Sequence, residues 1–425
     1  MKNVLIISPY FPPTNAADMQ RVRMSLPFYG HSGWNAEIVT VDERYADLIK
    51  DNLLLETVPA GIKIHKVKAF SKGLTSKFGL GSIALRSMFF YRAKVNELLR
   101  QGAFDLIYFS TTQFPVCVLG AYWKKKFGIP YVIDIQDPWH SDYYQNKPKS
   151  QRPPKYWFSY RLNKLLEPVA MGQVDGLISV ARGYLDTLEN RYPRLKDVPS
   201  SVITFGNFEP DLEIAEKHKN EFKPLLDRNS KNIVYTGRGG ADMHRSVGLA
   251  FEALKYGMEK NPDLKKINLY FIGTSYAPEG RGVETIMPLA KKMGLSDQVV
   301  EITDRIGFYH ALSVLQSANA LFIPGSDDLD YTASKIYPYL STGRPLLAIF
   351  SKTSSVIDIL KAHGAKFVFD LGSADIEKIN EFFKSVLAGD PCRVAYDQHA
   401  LEKYGAKTMA KRQCELFNKV LNKKK

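Results

Sequence analysis

Residues 319–350, NALFIPGSDDLDYTASKIYPYLSTGRPLLAIF, decide the fold of this chain. They contain an apolar strand pattern at Ala320–Pro324, a polar turn, a helical pattern from Thr332 to Gly343 and a second strand pattern from Pro345. A helix that begins at the carboxyl end of a buried parallel strand presents free backbone N–H groups and the positive end of its dipole. The stretch therefore predicts a unit of parallel α/β sheet with an anion site at its turn.

Two polar residues open this predicted helix. Lys335 lies in the first turn, where a cation opposes the helix dipole, and Ser334 precedes it. Helix propensity does not explain such a lysine, whereas a bound phosphate would, because the ammonium and the hydroxyl would both contact it. A solvated lysine on an ordinary strand–helix turn is the alternative.

Short β-branched runs recur along the chain with helical patterns between them, which is typical of parallel α/β sheets. A charged stretch at 209–231, which we interpret as a linker, separates two sets of runs. The pattern predicts two doubly wound α/β domains, each open to ligands at the carboxyl ends of its strands. The runs lie at 4–7, 37–41, 63–67, 106–109, 131–135, 177–180 and 202–205, and then at 233–236, 269–272, 299–302, 320–323, 346–349 and 367–369.

The composition is that of a globular protein too long, at 425 residues, for one ordinary core. Three cysteines lie far apart without a Cys-x-x-Cys pair, which predicts a reducing compartment and no structural zinc. The first apolar run is too short for a signal peptide, and no window approaches the ~18 apolar residues of a membrane span. We expect a cytoplasmic protein.

Positive charge is concentrated in the first half of the chain. The net charge is +14, and residues 1–205 carry 27 Lys and Arg against 17 Asp and Glu. Residues 61–100 hold nine basic residues, with Glu97 as the one acid, and several aromatic residues among them. Because no nucleic-acid-binding motif is present, we expect no nucleic acid partner and predict an anionic membrane surface. A solvated basic face over core aromatics is the alternative.

The end of the opening stretch resembles the nucleotide-sugar segment of GT-B glycosyltransferases, in particular family-4-like enzymes. These enzymes commonly carry Lys-x-x-Glu-Tyr-Leu-x-x-Gly-[Lys/Arg]-Pro before the next strand. Pro338 replaces the glutamate that usually binds the ribose hydroxyls, while Asp330, with Tyr331 beside it, matches an upstream carboxylate and is one methylene shorter. The matching positions are Lys335, Tyr339, Leu340, Gly343, Arg344 and Pro345.

The resemblance implies two Rossmann-like domains that face each other across a cleft. The first, residues 1–206, would bind the acceptor, and the second, residues 207–400, would bind the nucleotide sugar. Residues 401–425 have an amphipathic helical pattern, and the resemblance implies that this helix crosses back onto the first domain.

The turn after the predicted strand at 233–236 carries Gly237 and Arg238, and Arg245 opens the next helix. In GT-B glycosyltransferases a Gly-Arg and a Lys or Arg at these positions grip the β-phosphate of the donor. Two fixed cations would stabilise charge on the departing diphosphate without a metal. Two solvated arginines are the alternative.

Later turns of the second domain add weaker candidates. Gly273 follows the run at 269–272 and leaves room for diphosphate contact, although it is a generic glycine turn. Arg305 and Ile306 follow the run at 299–302, where the related enzymes usually hold the base through backbone groups.

The first strand–helix connection, residues 8–17, resembles the Tyr-Phe-Pro-Pro-x-x-Gly-Gly loop of the same family. There two glycines let the backbone approach the sugar diphosphate of the donor. Asn15 and Ala16 are the expected contacts here, with Ala16 and Ala17 in place of the glycines. A rigid loop without a ligand is the alternative.

The run at 131–135 leads into Gln136–Asp137–Pro138–Trp139, which resembles the family's Arg-Asp-x-Trp at a strand end. Asp137 would accept the proton of the acceptor hydroxyl, and His140 is a second candidate. An N-capping aspartate in a turn is the alternative.

An Asp-x-Asp at Asp328 and Asp330 matches a pattern with which other glycosyltransferases bind a divalent metal. We interpret Asp330 as a sugar-hydroxyl ligand and expect no metal and no other cofactor. The eight histidines form no cluster with metal-ligand spacing.

Together these residues predict a retaining glycosyltransferase that moves a sugar from a UDP- or GDP-linked donor to an acceptor hydroxyl. Lipid-linked or saccharide acceptors and a role in cell-surface polysaccharide or glycolipid synthesis are the expected context. A nucleotide-sugar epimerase of the same fold and a catalytically silent binding protein are the alternatives, the second because of Pro338, Ala16 and Ala17.

Overall fold

The computed structural model describes residues 1–142, 144–145, 148–149, 152, 155–277, 279–327, 335–389 and 393–423. Its contacts divide the chain into two compact units. The first unit comprises Met1–Phe205 and Ala406–Lys425, and the second comprises Gly206–Gly405.

The first unit is built on a seven-stranded parallel sheet in the order β3-β2-β1-β4-β5-β6-β7. Its central strands are buried on both faces, as expected for apolar runs covered by helices. The strand order reverses between β1 and β4, which is where ligands bind in sheets of this kind. The strands are β1 (Lys2–Ile7), β2 (Trp34–Val41), β3 (Lys63–Val67), β4 (Leu106–Ser110), β5 (Tyr131–Ile135), β6 (Gly176–Ser179) and β7 (Ser200–Val202).

Helices cover the two faces of this sheet. The last helix of the chain, α15, packs against the first, where Gln413 accepts from the Tyr29 hydroxyl and donates to Ser25 Oγ at 2.9 Å. These buried polar bonds tie the end of the chain to its beginning. The helices of the unit are α1 (Gln20–Tyr29), α2 (Lys72–Thr75), α3 (Ile83–Arg100), α4 (Val118–Phe127), α5 (Tyr156–Met171), α6 (Arg182–Arg191) and α15 (Ala406–Asn422).

The second unit is built on a six-stranded parallel sheet in the order β10-β9-β8-β11-β12-β13, and its strand order reverses between β8 and β11. Its strands are β8 (Lys231–Thr236), β9 (Ile267–Ile272), β10 (Val299–Ile302), β11 (Ala320–Pro324), β12 (Leu346–Phe350) and β13 (Phe367–Asp370). Its helices are α7 (Glu209–Lys217), α8 (His244–Lys260), α9 (Met287–Met293), α10 (Phe308–Ser317), α11 (Ile336–Ser341), α12 (Ser355–Ala362), α13 (Ile376–Ala388) and α14 (Gln398–Lys403).

Two sequence predictions about these elements were wrong. Part of the stretch interpreted as a linker forms α7, whose Asp211 accepts a hydrogen bond from the Tyr309 hydroxyl at 2.9 Å. The strand predicted at 202–205 ends at Val202, because the carbonyls of Ile203 and Thr204 accept from the buried guanidinium of Arg21 instead of a neighbouring strand.

The two sheets with their interleaved helices are two Rossmann-like domains, as the sequence predicted. Among the described residues, no helix is both long and apolar enough to cross a membrane.

Candidate active site

The carboxyl ends of β10, β9, β8 and β11 lie side by side in the second unit, because these strands are parallel neighbours. Backbone bonds connect the turns that follow them. Gly237 N–H donates to Ile272 O at 2.8 Å, and Gly273 N–H donates to Ile302 O at 2.8 Å. Residues predicted from separate turns are thereby placed at one edge of the sheet.

The ammonium of Lys335 contacts the end of β8 and the turn that follows it. Its ammonium donates to Thr236 O at 3.0 Å and to the Tyr235 hydroxyl at 3.1 Å, and it lies 4.5 Å from the centre of the Tyr235 ring. A Cβ at Gly237, whose φ is 150°, would coincide with this ammonium. Only glycine at position 237 therefore leaves the lysine in this position.

The surroundings of Lys335 disfavour the charged form of its amine. Desolvation, then Arg305 and Arg238, lower the pKa of its amine to about 7. Three basic side chains thus act on one another at this edge of the sheet. An anion placed among them would stabilise the protonated amine and relieve the mutual repulsion.

Arg238 is held in a fixed orientation. Its guanidinium makes a bidentate pair with Asp242, with N–O distances of 2.9 and 2.7 Å, and Asp242 also accepts from Ser326 Oγ at 2.6 Å. Burial raises the pKa of Asp242, but the bonds from Arg238 and Ser326 outweigh it, so the net shift is downward. The carboxylate therefore joins the turn after β8 to the turn after β11.

Arg305 follows β10 and is exposed. Its guanidinium lies 3.9 Å from the centre of the Tyr276 ring, in the turn after β9. Gly273 faces it, since a Cβ there would lie 3.7 Å from Arg305 Cγ. Ile306 is half-buried beside it. The edge of the sheet thus carries a third cation and an exposed aromatic ring.

Arg245, the second predicted phosphate-binding cation, opens the helix that follows the turn after β8. It is exposed in the first turn of α8, and it lines a shallow depression of about 370 Å³ together with Leu249, Glu252, Met293 and Leu371. It is not among the charges that lower the Lys335 pKa. Arg305, which the sequence assigned to the base, acts on Lys335 together with Arg238.

Three predicted donor contacts, Asp330, Tyr331 and Ser334, lie outside the described residues. The same holds for Asp328 of the Asp-x-Asp pattern. Within the described ranges, no group of three His, Cys, Asp or Glu side chains is arranged to hold a metal ion.

In the first unit, Asp137 follows β5 and reaches solvent. The protein around its carboxylate removes part of its hydration, and this desolvation, then the charge of Asp18, raises the Asp137 pKa to about 6. Asp18 is buried and accepts from Thr111 Oγ1 at 2.9 Å and from Thr112 N–H at 3.0 Å. The carboxylate of Asp18, in the connection between β1 and α1, therefore acts on the carboxylate of Asp137 after β5.

Hydrogen bonds hold the backbone of His140 in place. Its backbone N–H donates to Glu167 at 3.0 Å, and its carbonyl accepts from Arg191 at 3.2 Å. Its ring lies 4.7 Å from the ring of Tyr160. Desolvation, then the charge of Arg191, lowers the His140 pKa. These surroundings favour the neutral form of the imidazole over the charged one.

The connection after β1 is held by backbone bonds. Asn15 N–H donates to Ile49 O at 2.8 Å, and Ala16 is buried. The predicted small residue is thus part of the packed loop, while the half-buried Asn15 remains beside the surface.

Sequence reasoning missed two groups that organise these sites. Asp242 orients Arg238 in the second unit. In the first unit, Asp134 is buried under the strand ends and pairs with Arg21 at 2.6 Å, and Gln136 donates to it at 2.8 Å. The signal for Asp134 was a charge inside an otherwise apolar run, which only a buried partner explains.

Comparisons with known proteins show the fold. No protein-family model matches the chain, and no curated protein matches its sequence. Sucrose-phosphate synthase from Thermosynechococcus elongatus has 14% identity and a TM-score of 0.59, over 99% of this chain and 100% of that chain. Anabaena HepE, solved with UDP, has 13% identity and a TM-score of 0.58, over 99% and 100%.

The lipopolysaccharide outer core galactosyltransferase WaaB in its apo form gives 15% identity and a TM-score of 0.53, and the match covers 100% of both chains. These likenesses extend over whole chains at low sequence identity. The fold of this chain is therefore GT-B.

Proposed function

We propose that the protein is a glycosyltransferase that transfers a sugar from a nucleotide-sugar donor to an acceptor hydroxyl. The observation that carries the proposal is the group of Lys335, Arg238 and Arg305 at the carboxyl edge of the second sheet. Three cations that repel one another need an anion, and a diphosphate fits because it spreads its charge over several oxygens. The UDP bound to HepE and the activity in the name of WaaB support this choice.

The proposed chemistry follows from charge. When the bond between the sugar and the diphosphate breaks, negative charge grows on the departing phosphate oxygen. Arg238, held by Asp242, is already oriented and loses little entropy when it receives this charge. Lys335 takes up a proton as the diphosphate binds, because its pKa of about 7 rises beside an anion.

The finer parts of the proposal rest on the family resemblance. We propose transfer with retention of anomeric configuration, a UDP- or GDP-linked donor, and a saccharide or lipid-linked acceptor in cell-surface polysaccharide or glycolipid synthesis. The acceptor would bind the first unit, where Asp137 takes its proton. The enzyme would act at the cytoplasmic face of the cell membrane.

Removing Arg238 tests the donor site. We expect Arg238→Ala to weaken nucleoside diphosphate binding by about 1.5–3 kcal/mol, the range for a hydrogen bond to a charged group. The loss also leaves the Asp242 carboxylate without its partner, near the anion. Isothermal titration calorimetry with UDP and GDP measures the change and identifies the base.

The matched control is Arg228→Ala, an exposed arginine before β8 at the opposite edge of the sheet, which should bind as the wild type does. Arg245→Ala tests the second cation, for which the sequence resemblance predicts a loss of affinity. Unchanged affinity in both the Arg238 and Lys335 variants would contradict the proposed site.

Metal independence is a second expectation. Lys335, Arg238 and Arg305 supply the positive charge that a divalent ion supplies in other glycosyltransferases. Activity should therefore survive EDTA, measured as nucleotide release in the presence of acceptor. Loss of activity with EDTA and its recovery with magnesium or manganese would assign a metal to Asp328 and Asp330.

The same assay separates the alternatives. Nucleotide release that depends on acceptor supports the transferase. Inversion of the sugar without acceptor would make the protein an epimerase, and donor binding without either reaction would make it a binding protein.

A further inference from the structure

Large apolar side chains are exposed together on one part of the first unit. Of the fifteen such side chains among the described residues, eight fall in two short segments, 70–89 and 157–169. Phe78 is 78% exposed and Trp157 is 64% exposed, which is unusual for aromatic side chains of a folded protein. The eight are Phe70, Leu74, Phe78, Leu80, Phe89, Trp157, Leu165 and Val169.

The second segment is the outward face of α5. Trp157, Arg161, Leu165 and Val169 follow one another at intervals of four residues, so they form one stripe along the helix. The guanidinium of Arg161 lies 5.7 Å from the centre of the Trp157 ring. The opposite side carries the buried residues, such as Ala170. An α5 that only covered the sheet would carry polar residues on its outward face.

The two segments are in contact. A Cβ at Gly79 would lie 2.8 Å from the Phe158 ring, so the turn after α2 rests on α5. Lys155, just before α5, donates to the carbonyl of Ser76 at 3.1 Å. The eight apolar side chains therefore lie on two adjoining segments. We call these side chains, together with the basic residues described next, the apolar-basic surface.

Basic residues accompany these apolar side chains. Between residues 68 and 94 the sequence has no Asp or Glu, and between 155 and 169 it has only Glu167, which is buried against Arg191. Acids outside these ranges contact them: Asp47 pairs with Lys72 at 2.9 Å, and Asp142 accepts from the Tyr160 hydroxyl of α5 at 2.8 Å. The exposed basic residues between 68 and 94 and between 155 and 169 are Lys68, Lys72, Lys77, Arg92, Lys155, Arg161 and Lys164.

We propose that the apolar-basic surface docks on an anionic lipid bilayer, with the aromatic and aliphatic side chains in the interface and the basic residues at the headgroups. Aromatic rings, aliphatic groups and cations without acids are what an interfacial binder requires. A protein partner would instead require acids on its own surface to match these cations.

The structure changes the surface that the sequence predicted. Tyr91 is in the core, Phe90 is half-buried, and Arg86 is buried and donates to the carbonyls of Phe70 and Tyr45. Lys63 and Lys66 pair with acids of the neighbouring segments. Helix α5, which the sequence had not assigned to the membrane, supplies Trp157 instead. The inference rests on the membrane location given under the proposed function and names the surface that would make the contact. Because lipid binding is measured without substrate, its failure would leave the test of glycosyl transfer unaffected.

The four tryptophans provide a direct test. Trp34, Trp123 and Trp139 are buried, so Trp157 alone is open to solvent. We expect the tryptophan emission of the full-length protein to shift to the blue when vesicles of phosphatidylglycerol and phosphatidylcholine are added, and brominated lipid to quench it. Trp157→Phe should abolish the shift and keep most of the binding. Phosphatidylcholine vesicles should give no shift.

Charge reversal provides the matched comparison. Lys77→Glu combined with Lys164→Glu should weaken co-sedimentation with the same anionic vesicles at least about 30-fold, at about 1 kcal/mol per basic residue removed. Lys291→Glu combined with Lys292→Glu changes the net charge equally on α9 of the second unit and should leave binding unchanged.

The outcomes decide the proposal. Loss of binding in the first double variant alone, together with weaker binding at higher salt, supports it. Equal loss in both double variants, equal binding to anionic and neutral vesicles, or an emission spectrum that vesicles do not move would overturn it. Circular dichroism of the variants shows that they are folded.

Discussion

Asp134→Ala is expected to lower the stability of the first unit by about 3–5 kcal/mol, the range for removal of one partner of a buried ion pair. Asp134 and Arg21 have no solvent exposure, and they lie 2.6 Å apart. Without the carboxylate, the guanidinium keeps the carbonyls of Ile203 and Thr204 but remains a buried charge without a counter-charge. Hydrogen exchange of the amides of β4 and β5 in the full-length chain measures the loss within the unit.

Two further variants test the explanation. Arg21→Met combined with Asp134→Leu should be closer to the wild type than Asp134→Ala, because no charge then remains buried. Arg182→Ala removes surface pairs with Asp186 and Glu189, each expected to contribute about 0.2–1 kcal/mol to the stability. Exchange rates in Asp134→Ala that equal those of Arg182→Ala would show that the pair contributes no more than a surface pair does.

The sequence predicted the two sheets well because their strands are apolar and β-branched. The runs at 63–67, 131–135 and 299–302 coincide with β3, β5 and β10. The prediction failed where polar contacts outweighed the pattern. Arg21 donates hydrogen bonds to the carbonyls that follow Val202, so the strand ends there. Helix α7 buries one face of a stretch whose charge had suggested a linker.

The sequence indicates candidate site residues where a single turn contains them. Gly237 and Arg238 follow a strand, and a family resemblance located them. The contact between Gly237 and Lys335 joins positions far apart in the chain, so only the fold reveals that a Cβ at 237 would displace the lysine. The interaction of Arg305 with Lys335 likewise depends on which strand ends are neighbours in the sheet.

Asp137→Asn is expected to lower kcat by about 10²–10⁴-fold, the contribution of a positioned general base. An asparagine keeps the size of the side chain and cannot accept the acceptor's proton. Since desolvation and Asp18 raise the Asp137 pKa to about 6, the carboxylate is ionised above that pH and protonated below it. The wild-type rate should therefore fall as the pH falls through about 6, and the residual rate of Asp137→Asn should lack this limb.

His140→Gln is the companion variant, because His140 is the other candidate base and its pKa is lowered. If Asp137 is the base, the acid limb at about pH 6 persists in His140→Gln with at most a modest loss of kcat. If the fall in rate below about pH 6 persists in Asp137→Asn and vanishes in His140→Gln, His140 is the general base. Donor affinity, measured by calorimetry, should stay unchanged in both variants because the donor binds the second unit, so a loss confined to kcat identifies proton transfer as the step that Asp137 serves.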